Sequence, residues 1–147
     1  MNRFNNGKIY KIMCRTTQKC YYGSTTNELE DRLESHELDY KRYQAGLTTY
    51  ITSYSVLKNN NYYIELVQNY KCNNKYEINK LEGTYIKDNC CVNKYIPDVG
   101  IKEGYVADMD DRVEQKMYKC PCGGKYSTHH RTRHLKTKKH LKYMQKK

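Results

Sequence analysis

Arg32 and His36 stand four residues apart, the spacing that puts two side chains one turn from each other on a helix. A guanidinium placed there can stabilise charge growing on the oxygens of a phosphodiester, and an imidazole can move a proton. Two phenols upstream, Tyr10 and Tyr21, make a set of four groups able to converge. A second set lies at the far end of the chain. Cys120 and Cys122 are followed by His129, His130, His134 and His140, and thiolates with imidazoles are the donors a tetrahedral zinc ion takes. Between the two sets, Glu82 sits beside Leu81 at the border of an apolar face. There it either reaches into water or holds a divalent cation; magnesium needs only one such carboxylate beside waters and a substrate phosphate.

The elements that must position these groups follow from the pattern. Residues 8–13 and 19–22 are rich in Tyr and Ile around the polar Arg15-Thr16-Thr17-Gln18, which predicts a β-hairpin. Asn27 offers a capping oxygen, and Glu28, Glu30 and Asp31 place carboxylates in the first turn of a helix over 28–44. Its less polar side chains, at 29, 33, 36, 40 and 43, fall within roughly a 100° arc that must face the sheet. A short helical turn is expected over 50–57 and a third strand over 62–70. Asn73 or Asn74 caps a helix running to 89, with Ile78, Leu81, Tyr85 and Ile86 at helical spacing. The fold class is therefore α+β: a small three-stranded sheet with helices packed on it.

The order Ile9-Tyr10, Tyr21-Tyr22-Gly23, Arg32, His36, Glu82 and Asn93, spread over residues 7–97, resembles the GIY-YIG endonuclease family. Lys8 stands where the first glycine of that signature falls, and Tyr22 where isoleucine is usual; a strand position does not require the glycine. The resemblance implies a GIY-YIG-like antiparallel sheet and a hydrolase that cuts DNA phosphodiester bonds. Tyr10 is then the group that orients or deprotonates the attacking water, with Tyr21 and His36 as alternatives or helpers. Because a free tyrosine titrates near about 10, a basic role needs a cation close by. Arg32 stabilises the non-bridging oxygens, Glu82 holds Mg2+ (or Mn2+), and Gly23 allows a tight exit from the strand. Asn93 matches the family's late asparagine, though by itself it reads as a turn residue before Pro97.

The 147-residue chain carries a formal net charge of +11, unevenly spread. Residues 1–115 hold 16 of the 27 basic residues and all 16 acidic ones, so that part is formally neutral. Residues 116–147 hold the other 11 basic residues and no acid. Such a tail binds polyanions by releasing counterions, and DNA is the expected partner. The segment Cys120-Pro121-Cys122-Gly123-Gly124 reads as a knuckle, and Cys-x-Cys-x11-His-x5-His resembles a C2H2 zinc finger with a shortened cysteine spacer. That resemblance favours Cys120, Cys122, His134 and His140 as ligands of Zn2+. His130 is kept as the reserve, since His134 and His140 are six apart and need a widened or broken turn. Arg131, Arg133, Lys136, Lys138, Lys139 and Lys142 then decorate one short helix suited to a DNA groove.

Three regions are expected: a nuclease-like domain over 1–97, an acidic linker over 98–116 with Asp108, Asp110, Asp111 and Glu114, and a basic finger over 117–147. No run of about 18 apolar residues and no signal peptide is read, so an intracellular location off the membrane is expected. Cys14, Cys20, Cys72, Cys90 and Cys91 read as small buried hydrophobes. No organic cofactor is expected, and a transient dimer on DNA is one way to cut both strands. The competing class is a non-catalytic DNA- or RNA-binding protein that keeps the nuclease fold.

Overall fold

The structure, a computed structural model, describes residues 2–105, 117–127 and 130–145. A 3-10 turn at Arg3–Asn6 leads into β1 (Lys8–Cys14), which returns as β2 (Cys20–Thr25). Then come α1 (Leu29–Gln44), the single turn α2 (Tyr54–Leu57), β3 (Tyr62–Asn69) and α3 (Lys75–Asp88). A small hairpin joins β4 (Tyr95–Ile96) to β5 (Gly100–Ile101). The C-terminal segment runs β6 (Met117–Lys119), β7 (Lys125–Ser127), α4 (Arg131–Leu135) and α5 (Lys138–Gln145). The architecture is α+β around an antiparallel three-stranded sheet of order β2-β1-β3.

β1 is the central strand because it is apolar on both faces. Ile9, Tyr10, Ile12 and Cys14 are all fully buried. Alternation sends Ile9 and Met13 to one face and Tyr10, Ile12 and Cys14 to the other. On the first face Ile9 packs with Cys20, Tyr22, Cys72, Ile78 and Ile86, which places α3 there. Each buried isoleucine contributes roughly 1.5–3 kcal/mol. On the opposite face α1 is tied down through His36, which bonds Tyr10, and through Glu37, which accepts from the Tyr62 hydroxyl at 2.8 Å. The sheet is thus covered by a helix on each side, and β1 presents its tyrosine to α1.

Two features of the register matter for the site. Tyr10 lies opposite Gly23 on β2, and the pairing of β1 with β3 shifts between Ile9 and Tyr10. Such an irregularity re-aims the side chain beside it. The free edge of β2 is closed by the segment after α3. Val92 donates its N–H to the Cys20 carbonyl at 2.8 Å, and the Asn93 amide meets both backbone groups of Tyr22, at 2.9 and 2.8 Å. An edge strand left open would be a template for stray pairing; two residues close this one.

α3 begins where a capping side chain allows. Asn74 accepts from the Glu77 N–H at 3.1 Å, while the Glu77 carboxylate returns to the Asn73 N–H at 3.0 Å. That reciprocal arrangement satisfies donors a helix start leaves open. The helical turn expected over 50–57 is confined to Tyr54–Leu57. The chain packs into two compact units, Met1–Leu38 with Ile51–Asp111 and Asp39–Tyr50 with Arg112–Lys147, the boundary falling within α1. Within the stretch read as linker, Gly100–Ile101 pairs with β4, and Lys102 donates to the Asn89 carbonyl at 2.7 Å. The acidic residues Asp108, Asp110, Asp111 and Glu114 lie outside the described residues.

The cysteine reading needs one correction. Cys14, Cys20 and Cys72 are buried, but Cys91 is half-buried and Cys90, just past the end of α3, is exposed. Among the described residues no helix is long and apolar enough to cross a membrane.

Candidate active site and metal centre

The first site grows from β1. Tyr10 projects from a fully buried position, and its phenol lies over Gly23 on the neighbouring strand; a Cβ at Gly23 would overlap the Tyr10 oxygen and Cζ. This corrects the expected role of Gly23. It sits inside β2 rather than at a strand exit, and it is required for its missing side chain.

The Tyr10 hydroxyl joins two groups from α1. Arg32 Nε donates to it at 2.9 Å, and His36 Nε2 lies 2.8 Å away. Arginine has no acceptor, so the Tyr10 oxygen accepts there and its own proton goes to His36. Burial, and then the Arg32 charge, pull His36 down to about 3, which leaves the imidazole neutral with Nε2 as the acceptor. Its proton is therefore on Nδ1. Burial pushes Tyr10 up to about 12 even though Arg32 works against it. The cation a basic tyrosine would need is present, and desolvation outweighs it.

Tyr21, two residues before Gly23, presents its ring edge-on to His36 with centroids 5.5 Å apart. Its hydroxyl carries no hydrogen bond among the described residues. Burial raises its pKa, and the neighbouring Tyr10 and Glu82 add to that. Burial works against the Arg32 charge, but Tyr10, Tyr21 and Glu82 together hold it above its ordinary value. With Nε engaged on Tyr10, the terminal nitrogens of Arg32 have no hydrogen-bond partner among the described residues.

Glu82 approaches from α3. One carboxylate oxygen, Oε2, accepts from the Ser24 hydroxyl at 2.5 Å, and the Ser24 backbone N–H also acts on the carboxylate. Burial raises its pKa, and Ser24, Arg32 and Lys75 oppose that. Its field reaches Tyr10, Tyr21 and Arg32. One carboxylate with lone pairs to spare fits a magnesium ion that keeps its waters.

The fold therefore assembles Tyr10, Tyr21, Arg32, His36 and Glu82. It does not bring Asn93 to them. Asn93 is buried on the backbone of Tyr22, where it holds the strand that carries Tyr21 and Gly23. Two participants escaped the sequence. Ser24 has no motif to announce it, since only the fold reveals that α3 delivers Glu82 to it. Lys8 reaches across to the Asn27 carbonyl and the Glu28 carboxylate, both at 3.2 Å. It thereby ties β1 to the entry of α1, an attachment that a glycine at this position would lack.

The second site is local. β6 and β7 form a hairpin whose turn is closed by Cys120 N–H to the Gly124 carbonyl and Gly123 N–H to the Cys120 carbonyl, both 2.8 Å. Gly123 takes a positive φ of 79°, and a Cβ on Gly124 would strike the His134 ring. The two glycines give the cysteines their turn and the imidazole its room. Cys120 Sγ lies 3.3 Å from His140 Nδ1, and Cys122 Sγ 3.4 Å from His134 Nε2. All four ligand atoms fall within 4.8 Å of one another. A zinc tetrahedron with ordinary bond lengths has a sulfur–nitrogen edge of ~3.6 Å, so this group can hold a metal such as zinc.

The six-residue histidine spacing works because the helix breaks. Thr137 separates α4 from α5, donating its hydroxyl to the His134 carbonyl at 2.8 Å and accepting from the His140 N–H at 3.3 Å. The second bond is an N-cap from which the next helix starts. Of the basic residues expected on one helix, Arg131 and Arg133 lie on α4, Lys138, Lys139 and Lys142 on α5, and Lys136 caps α4. His130 is held by Ser127 at 2.9 Å and stays out of the cluster; His129 lies outside the described residues.

What the fold and sites define is an α+β protein in which a half-buried arginine meets a buried tyrosine and histidine beside one carboxylate, with a separate two-cysteine, two-histidine group. Comparison with protein-family models, curated proteins and solved structures finds no match.

Proposed function

We propose that this chain is an endonuclease of GIY-YIG type that hydrolyses DNA phosphodiester bonds with Mg2+ or Mn2+, its C-terminal segment acting as a zinc finger that strengthens DNA binding. The observation that carries the proposal is the Arg32–Tyr10–His36 hydrogen-bond chain, with the Glu82 charge on α3 acting on Tyr10 and Arg32. Tyr10 fixes Nε of Arg32, which leaves the terminal fork of the guanidinium for the non-bridging oxygens of a phosphodiester.

The division of labour between the tyrosines shifts from the sequence expectation. Tyr10 is fully buried and engaged on both sides, so it positions Arg32 and His36. Tyr21, with an unpartnered hydroxyl at the same histidine, is the better-placed phenol to orient the attacking water. A divalent cation on Glu82 would lower the charge on the leaving oxygen and help supply hydroxide.

In the finger, Arg131, Arg133, Lys138 and Lys142 lie on α4 and α5 and are exposed, and they supply backbone grip. Labelled duplex DNA, single-stranded DNA and RNA, each incubated with the zinc-loaded protein and Mg2+, test the proposal. DNA cut by the wild type and intact with Glu82→Gln is expected. Tight binding of DNA or RNA without cleavage of either would make this a binding protein instead.

A further inference from the structure

Glu82 can present one oxygen to a cation only if something fixes the other. Its side chain is long, it comes from α3, and its partner comes from a different element. Among the described residues Ser24 is the residue bonded to it: its hydroxyl donates to Oε2 at 2.5 Å, and its backbone N–H also acts on the carboxylate. That length belongs to a hydroxyl donating to an ionised carboxylate.

Ser24 is itself held. It stands opposite Ile9 in the β1–β2 pairing, directly after Gly23, and two residues beyond Tyr22, whose backbone is clamped by Asn93. A continuous path of bonded groups therefore runs from Asn93 through β2 and Ser24 to Glu82. We propose that Ser24 is the positioning residue of the cation site: its hydroxyl immobilises Glu82 through Oε2 and so holds the carboxylate in place as the ligand of a hard divalent metal. This inference deepens the nuclease assignment and rests on its reading of Glu82 as a metal ligand.

An outer-sphere hydrogen bond orients a metal ligand, and removing such bonds lowers metal affinity by roughly 10–100-fold. Threonine at 24 keeps the hydroxyl and suits a strand, whereas alanine removes only the hydroxyl. The experiment uses full-length, zinc-loaded protein and follows Mn2+ binding by electron paramagnetic resonance, with plasmid cleavage read in parallel. Thermal unfolding of each variant confirms that it is folded.

Wild type and Ser24→Thr are expected to bind Mn2+ alike, Ser24→Ala roughly 10–100-fold more weakly, and Glu82→Gln not measurably. Unchanged affinity in Ser24→Ala, no rescue by threonine, or no Mn2+ binding by the wild type would overturn the proposal. The two readouts separate the claims. Mn2+ binding that follows this pattern without DNA cleavage would leave Ser24 in its role and remove the nuclease assignment; cleavage with an unaffected Ser24→Ala would do the reverse.

Discussion

The two candidate sites are assembled by opposite means. The Tyr10 site draws on β1, β2, α1 and α3, with partners up to 58 residues apart in the chain, as Ser24 and Glu82 are. Its groups are held by the sheet and by one another. The Cys120 group lies within a span of 20 residues, and the ring contacts among Tyr118, Tyr126 and His134 form a small layer beside it. A segment so short and so charged does not bury enough apolar surface to hold itself together. The difference teaches where stability would come from: the first site is a product of folding, and a metal held by the second would be a cause of it.

The sharpest way to break that contrast is to remove the metal. Chelation of zinc is expected to collapse the amide signals of α4 and α5, since a structural zinc site supplies about 10–16 kcal/mol of apparent binding free energy to its fold. Signals of β1, β2 and β3 should keep their dispersion. Loss of both sets together, followed by NMR, would show that the sheet also depends on the metal.

A smaller effect, confined to the first site, concerns acid. Burial, and then the Arg32 charge, pull His36 down from its ordinary value to about 3. The unfolded chain takes up the proton as pH falls through 6.5, while the native chain does so only near 3. His36 therefore contributes fully above 6.5, and stability is lost as pH drops toward 3, by up to about 1.4 kcal/mol per unit. Urea midpoints measured between pH 7 and pH 4 should fall more steeply for the wild type than for His36→Gln. Equal slopes would mean that the imidazole is not held neutral.

The smallest expected change is steric. Gly23→Ala places a methyl where the Tyr10 phenol lies, and an intruding group of that size costs about 1–3 kcal/mol. Because Tyr10 positions Arg32, nicking should fall along with stability. A variant of unchanged melting temperature would show that the ring moves freely.

How much of this was legible in the sequence follows the same division. The Cys-x-Cys turn and its histidines announced themselves, because ligand spacing is a local property. Even so, Thr137 was not read as the cap that breaks the helix, and the six-residue spacing depends on it. The three strands and the Asn74-capped helix were readable from Tyr and Ile density and from one capping side chain. What could not be read was register. Nothing in Tyr21-Tyr22-Gly23 says that the glycine will face Tyr10, nor that Ser24 will meet Glu82. Asn93 looked like a turn residue, and its bonds to the backbone of Tyr22 depend on where the chain leaves α3. Burial was misjudged at Cys90 for the same reason.

The central claim is that Arg32, held by Tyr10, and Glu82, held by Ser24, form one hydrolytic site. The most direct test is relaxation of supercoiled plasmid in Mg2+ at low salt by wild type, Arg32→Ala and Glu82→Gln, all zinc-loaded. The account predicts nicked product from the wild type and a rate reduced by roughly 100-fold or more in each variant. Intact plasmid from the wild type, or undiminished nicking by either variant, would contradict it.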